Sequence, residues 1–274
     1  MSENKIRNQS VIPSLSWLRK FFAQPPSLQI GYKAPEYFRF MCEETQRFSP
    51  RYAKKYVEVH EGHKLIQLTK ERGAVLAPLH YGSFFLSGGA VVHQLHLRCT
   101  AIVTHNNLLV LPDQEADMWR EMHSQAQRLH EQPIFYAGVT PRDQIVQYLS
   151  KPHNLLWAMM DVREAGRDRP EFPFTFQERK VFLQTGAERL ACIARVPLIP
   201  MCIKYDLSRK QHNLYIGEPI SPGESPIEMT QKALTQLEVH TTDDPEQFFH
   251  DMNFFSVPSP LNQPKYSLQD SQHT

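Results

Sequence analysis

The stretch Val75 to Val92 reads VLAPLHYGSFFLSGGAVV. Its first half is uniformly apolar, as a strand covered on both faces of a sheet must be. It runs out at His80. The second half is small and apolar and predicts a helix, so the unit is strand, polar residue, helix. In a doubly covered α/β sheet, ligands bind beyond the carboxyl ends of the strands, where His80 falls.

Working outward, the same pattern recurs. AVLAPLH (74–80), CTAIVTH (99–105), NLLWAMMD (154–161) and VPLIPMCIKYD (196–206) predict strands, and HNLYIGEPI (212–220) a further strand and turn. Between them lie helical patterns such as DQEADMWREMHSQAQRLHEQ and TPRDQIVQYLS, with Thr140 expected to cap the latter ahead of Pro141. The fold class is therefore α/β, with a mixed, mostly parallel central sheet flanked by helices.

Three regions are expected. Residues 1–55 form an N-terminal helical segment facing a membrane surface or a partner, residues 56–255 the α/β domain, and residues 256–274 an unfolded tail rich in Pro, Ser and Gln. In the first region Trp17, Phe21 and Phe22 sit beside Arg19 and Lys20, which suits either an interfacial helix or one packed on the domain.

The 30 Lys and Arg against 29 Asp and Glu are scattered, leaving no nucleic-acid footprint. Cys42, Cys99, Cys192 and Cys202 form no CxxC pair, and reduced thiols are expected. His60 and His63 lack a third ligand, so no metal is expected, and SGGAVV lacks the lysine of a phosphate loop. The polar start, MSENKIRNQS, and the lack of a long apolar run predict a cytoplasmic protein, with contact at the inner face of the membrane as an option.

Two polar residues end very apolar strands: His80 and Asp161. A histidine there can act as a general base, although a lone strand-end histidine can equally be a satisfied structural residue.

Beyond this stretch, VEVHEGHKLIQLTKERGAVLAPLHYGSFFLSGGAVV resembles the opening of the lysophospholipid acyltransferase superfamily, in particular its bacterial lipid A lauroyl/myristoyl acyltransferase branch. The resemblance continues through LLWAMMDVREAGRDRPEFPFTFQERKVFLQTGAERLACIARVPLIP, where FPFTF stands for a Pro-Phe-Phe-Gly-like turn, and reaches DDPEQFFHDMNFF, read as a short capping helix. It covers most of residues 57 to 255.

The resemblance implies a glycerolipid acyltransferase-like fold and fatty acyl transfer from a thioester to a hydroxyl or amine. The donor would be an acyl carrier protein or acyl-coenzyme A, as a co-substrate without a further cofactor. It makes His80 the base and puts the partner carboxylate five residues on, at Phe85, which carries none. Three readings follow: Asp161 reaches His80 from another strand end, the acceptor is an amine that needs less assistance, or catalysis is lost. In the last case the chain is a silent relative that binds an acyl chain or carrier protein as a partner. A thioesterase is a lesser option.

Tyr81, Gly82 and Ser83 are candidate substrate-binding residues beside His80, with an oxyanion site expected at amides near Gly82 or the 185–187 turn. Arg128, with Arg120 as the alternative, is the resemblance's anion-binding arginine. Arg163, extended by Arg167 and Arg169, gives a basic rim that suits a carrier protein, phosphopantetheine or anionic lipid head groups equally. Gly88 and Gly89 could leave room for an acyl chain, and Gly186 could permit close backbone approach.

Overall fold

The computed structural model describes residues 49–104, 113–163, 170–206, 208–249 and 255–258. The aromatic and cationic segment before Ser49, Cys42, Arg167, Arg169 and the tail from residue 259 lie outside the described residues.

Seven strands form one sheet: β1 (Val57–His60), β2 (Ala74–Pro78), β3 (Arg98–Thr104), β4 (Phe135–Ala137), β5 (Asn154–Trp157), β8 (Leu198–Asp206) and β9 (Gln211–Ile216). Their spatial order is β1-β9-β8-β2-β5-β3-β4, parallel throughout except for the antiparallel β8–β9 pair. The chain is thus an α/β protein with a mixed, mostly parallel central sheet. β6 (Phe172–Phe176) and β7 (Arg179–Leu183) make a separate antiparallel hairpin.

Helices cover both faces. On one, Leu65 of α2 (Gly62–Leu68), Phe84, Phe85 and Leu86 of α3 (Phe84–Leu95), and Ala126 and Leu129 of α4 (Asp113–His130) pack on Leu76, Leu155 and Trp157. On the other, α5 (Arg142–Leu149), α6 (Gly186–Ala194), α7 (Pro226–Thr241) and the hairpin bury Val75, Leu156 and Leu198. α1 (Pro50–Tyr56) lies on the first face, where Gln94 donates to the carbonyls of Ala53 and Val57 at 2.9 and 2.8 Å. The boundary expected at residue 55 therefore falls inside a helix tied to the domain.

Two local expectations are corrected. FPFTF is strand β6 and not a turn; the turn is Gln177–Glu178, with both φ angles positive at 50° and 59°. Thr140 does not cap α5: its hydroxyl accepts from Tyr136 N at 2.9 Å, and Pro141 takes the cap position.

Among the described residues, no helix is long and apolar enough to cross a membrane.

Candidate functional site

The register of the central strands brings two polar residues together. Ala74, Val75 and Leu76 of β2 pair with Leu155, Leu156 and Trp157 of β5, and the ladder runs on through Ala158 N to Leu76 O and Met160 N to Pro78 O. Keeping that register, His80 faces Asp161. Side-chain alternation puts both on the face that holds Leu76 and Trp157, because Ala77, Leu79, Ala158 and Met160 belong to the other.

The contact is close. His80 Nδ1 and Asp161 Oδ1 are 2.8 Å apart, and His80 N donates to both carboxylate oxygens, at 3.1 and 3.0 Å. With Asp161 ionised, and so only an acceptor, a neutral imidazole would carry its proton on Nδ1 and its lone pair on Nε2. His80 is 6% exposed and Asp161 3%, so the pair lies in a low-dielectric setting where its mutual orientation is strongly held. Phe84 meets the imidazole edge-on at 4.7 Å, and Phe249 lies 5.9 Å away at 30°.

The turn after His80 is built for packing. Gly82 has φ +55°, and a Cβ there would stand 1.8 Å from the Ile203 carbonyl oxygen, so only glycine fits. Its amide donates to the Gln247 carbonyl at 2.9 Å, which removes it as an oxyanion donor. Tyr81 is corrected likewise. It is fully buried, its hydroxyl donates to the Asp244 carbonyl at 2.9 Å, and burial pushes its phenol well above the usual range, so it anchors the 244–249 segment. Ser83, also fully buried, keeps a hydroxyl without a hydrogen-bond partner among the described residues.

The expected cations are engaged in ion pairs. Arg128 sits on the exposed face of α4, 3.2 Å from Glu121. Arg163 is clamped: its Nε lies 3.2 Å from Glu171 Oε1, its Nη2 donates to the Val257 carbonyl at 2.6 Å, and its guanidinium covers the Phe255 ring at 5.1 Å. Burial lowers its pKa, and Glu171 opposes that. It ties the hairpin and the 255–257 segment to the Asp161 loop, and the basic rim loses its nearest member.

Two expectations of space are also corrected. A Cβ at Gly88 would lie 2.1 Å from His130 Nε2, and one at Gly89 3.2 Å from Leu129, so α4 fills what an acyl chain would need. At Gly186 a Cβ would meet nothing within 4 Å, so no close approach requires glycine there.

Sequence reasoning misses His130 and Glu188. His130 is 1% exposed, with neither ring nitrogen hydrogen-bonded among the described residues, and burial takes its pKa down to about 4. Glu188, in the first turn of α6, is fully buried; desolvation raises its carboxyl to about 7, against a smaller opposing pull from its own amide and the Thr230 hydroxyl. Neither has a sequence signal, since each sits on a helix that reads as amphipathic.

Among the described residues no group of three or more His, Cys, Asp or Glu could hold a metal. The fold and site define an α/β protein with a buried histidine–aspartate pair at the carboxyl ends of adjacent parallel strands. No family model matches the chain, and no curated protein matches it.

Proposed function

We propose that the chain transfers a fatty acyl group from a thioester, on an acyl carrier protein or coenzyme A, to a hydroxyl or amine acceptor. The observation that carries the reading is the 2.8 Å contact between His80 Nδ1 and Asp161 Oδ1, which supplies the carboxylate that Phe85 cannot. The sequence resemblance over residues 57 to 255 supports it, and with it a glycerolipid acyltransferase-like fold in the cytoplasm or at the inner face of a membrane.

In this reading Asp161 holds the Nδ1 proton, so Nε2 takes the proton of the acceptor hydroxyl or amine as its oxygen or nitrogen attacks the thioester carbonyl. Asp161 then stabilises the imidazolium. The tetrahedral intermediate collapses with loss of the thiolate, which receives the proton from Nε2 and leaves as free thiol. The acyl group ends on the acceptor, and His80 returns to its starting state.

The test is thiol release from a panel of acyl-carrier-protein and acyl-coenzyme A thioesters, with and without small-molecule acceptors, for the wild type and His80→Ala. Release that requires an acceptor and vanishes in the variant supports the transfer. Release without acceptor points to a thioesterase.

A second reading draws on the 8% residual exposure of the His80 side chain, which is hemmed in by Phe84 and Phe249. It is a silent relative that binds an acyl chain or carrier protein. Binding without thiol release would decide for it.

A further inference from the structure

His80 leaves the sheet on a turn that is also held from outside the sheet, by the segment around the short 3-10 turn Pro245–Gln247. Tyr81 and Phe248 form an antiparallel bridge, Gly82 N donates to the Gln247 carbonyl at 2.9 Å, and Phe249 N donates to the His80 carbonyl at 2.8 Å. The same segment lays the Phe249 ring beside the imidazole.

One side chain fixes that segment to the sheet. Gln247 Oε1 accepts from Tyr205 N at 2.8 Å, and its Nε2 donates to the Tyr205 carbonyl at 2.8 Å and to Asp244 Oδ2 at 2.6 Å. A primary amide offers two donors and an acceptor, and this site uses all of them. Against Tyr205 in β8, Gln247 imitates the backbone of a neighbouring strand. It does so beside the point where Gly82 presses on the Ile203 carbonyl.

We propose that Gln247 is a positioning residue for the His80–Asp161 pair. It locks the 244–249 segment to β8, and that segment sets the main chain of His80 and Gly82 so that the imidazole meets the carboxylate. The proposal rests on the reading of His80 as the working base, yet its geometric content can be measured without turnover.

The experiment is histidine NMR on the full chain, for the wild type and Gln247→Glu, with His80→Ala to assign the signal. In the wild type the His80 Nδ1 proton is expected downfield and slow to exchange, held by Asp161. The ionised carboxylate of Gln247→Glu offers neither donor, so in that variant the signal should broaden or vanish near neutral pH. It should return in part on acidification, when protonation of the new carboxyl restores one donor.

In the thiol-release assay the same variant should lower kcat by about 10²-fold, the scale of a roughly 1 Å misplacement, with little change in KM. A folded Gln247→Glu protein with an unchanged Nδ1 proton and His80 titration overturns the proposal. Should that variant fail to fold at every pH, Tyr81→Phe tests the same attachment by removing only the hydroxyl on Asp244. Faster Nδ1 proton exchange supports the proposal, and an unchanged rate overturns it. If the wild type releases no thiol at all, acyl transfer fails while the NMR comparison still decides the positioning role.

Discussion

Phe85 stands where the acyltransferase pattern carries a carboxylate, and its ring is 3% exposed, 4.4 Å from Phe84 and 6.2 Å from Trp157. An acid at that position would be buried among aromatic rings. Phe85→Asp is therefore expected to destabilise the fold by about 3 kcal/mol or more and to leave any His80-dependent activity no higher. Chemical denaturation alongside the thiol assay checks both halves. His80 and Asp161 are legible in the sequence as polar residues ending apolar strands, but that they face each other depends on the β2–β5 register, which the sequence leaves as one of three readings. Tyr81, Arg163 and Gly88 are misread from sequence for one shared reason. Their partners, Asp244, Glu171 and His130, are brought in by segments whose docking no local pattern encodes. The Gly88–His130 contact is testable in the same terms. Gly88→Ala should cost about 1–3 kcal/mol, and His130→Ala in the same chain should recover part of the loss, as urea midpoints of the double-mutant cycle will show.

At the scale of elements, the strong strands declare themselves through uninterrupted apolar runs, and α3 through its small apolar residues. The β6–β7 hairpin does not. Its turn places Gln177 and Glu178 at positive φ, where Asn and Gly are the usual signals, so the sequence carries no sign of it. FPFTF also buries only alternate residues against α7, too short a pattern to separate from a turn. Gln177→Asn with Glu178→Gly should relieve the left-handed strain and stabilise the protein by about 1 kcal/mol, read as a rise in thermal midpoint. β1 is hard to see in the sequence because it is a four-residue edge strand with one buried position. The Arg163 clamp joins the hairpin to the Asp161 loop, so the far side of the site depends on an element the sequence conceals.

At the scale of the whole molecule, the buried groups Glu188 and His130, among the described residues, pull stability in opposite directions with pH. Glu188 has a folded pKa of about 7 against an ordinary 4.5, so its contribution is complete below 4.5 and is lost as pH rises toward 7. His130 falls from 6.5 to about 4, so its contribution is complete above 6.5 and is lost as pH drops toward 4. Glu188→Gln should therefore gain stability relative to the wild type between pH 4 and pH 8, on the order of 3 kcal/mol, while His130→Leu should flatten part of the acid side, with His123, likewise taken down to about 4 by burial, keeping the rest. Thermal midpoints across that range test both. The arrangement of the sheet bears on the proposed function more directly, because the parallel pair β2 and β5 delivers His80 and Asp161 to the same carboxyl end of the sheet.

The most direct test of that account is the rate of thiol release by Asp161→Asn beside the wild type, under acceptor conditions in which the wild type is active. An asparagine keeps the shape of the site but favours the wrong imidazole tautomer, and the expected loss is about 10⁴-fold in kcat with the fold intact. A folded Asp161→Asn protein that releases thiol at the wild-type rate would contradict the claim that the pair of His80 and Asp161 is the working base.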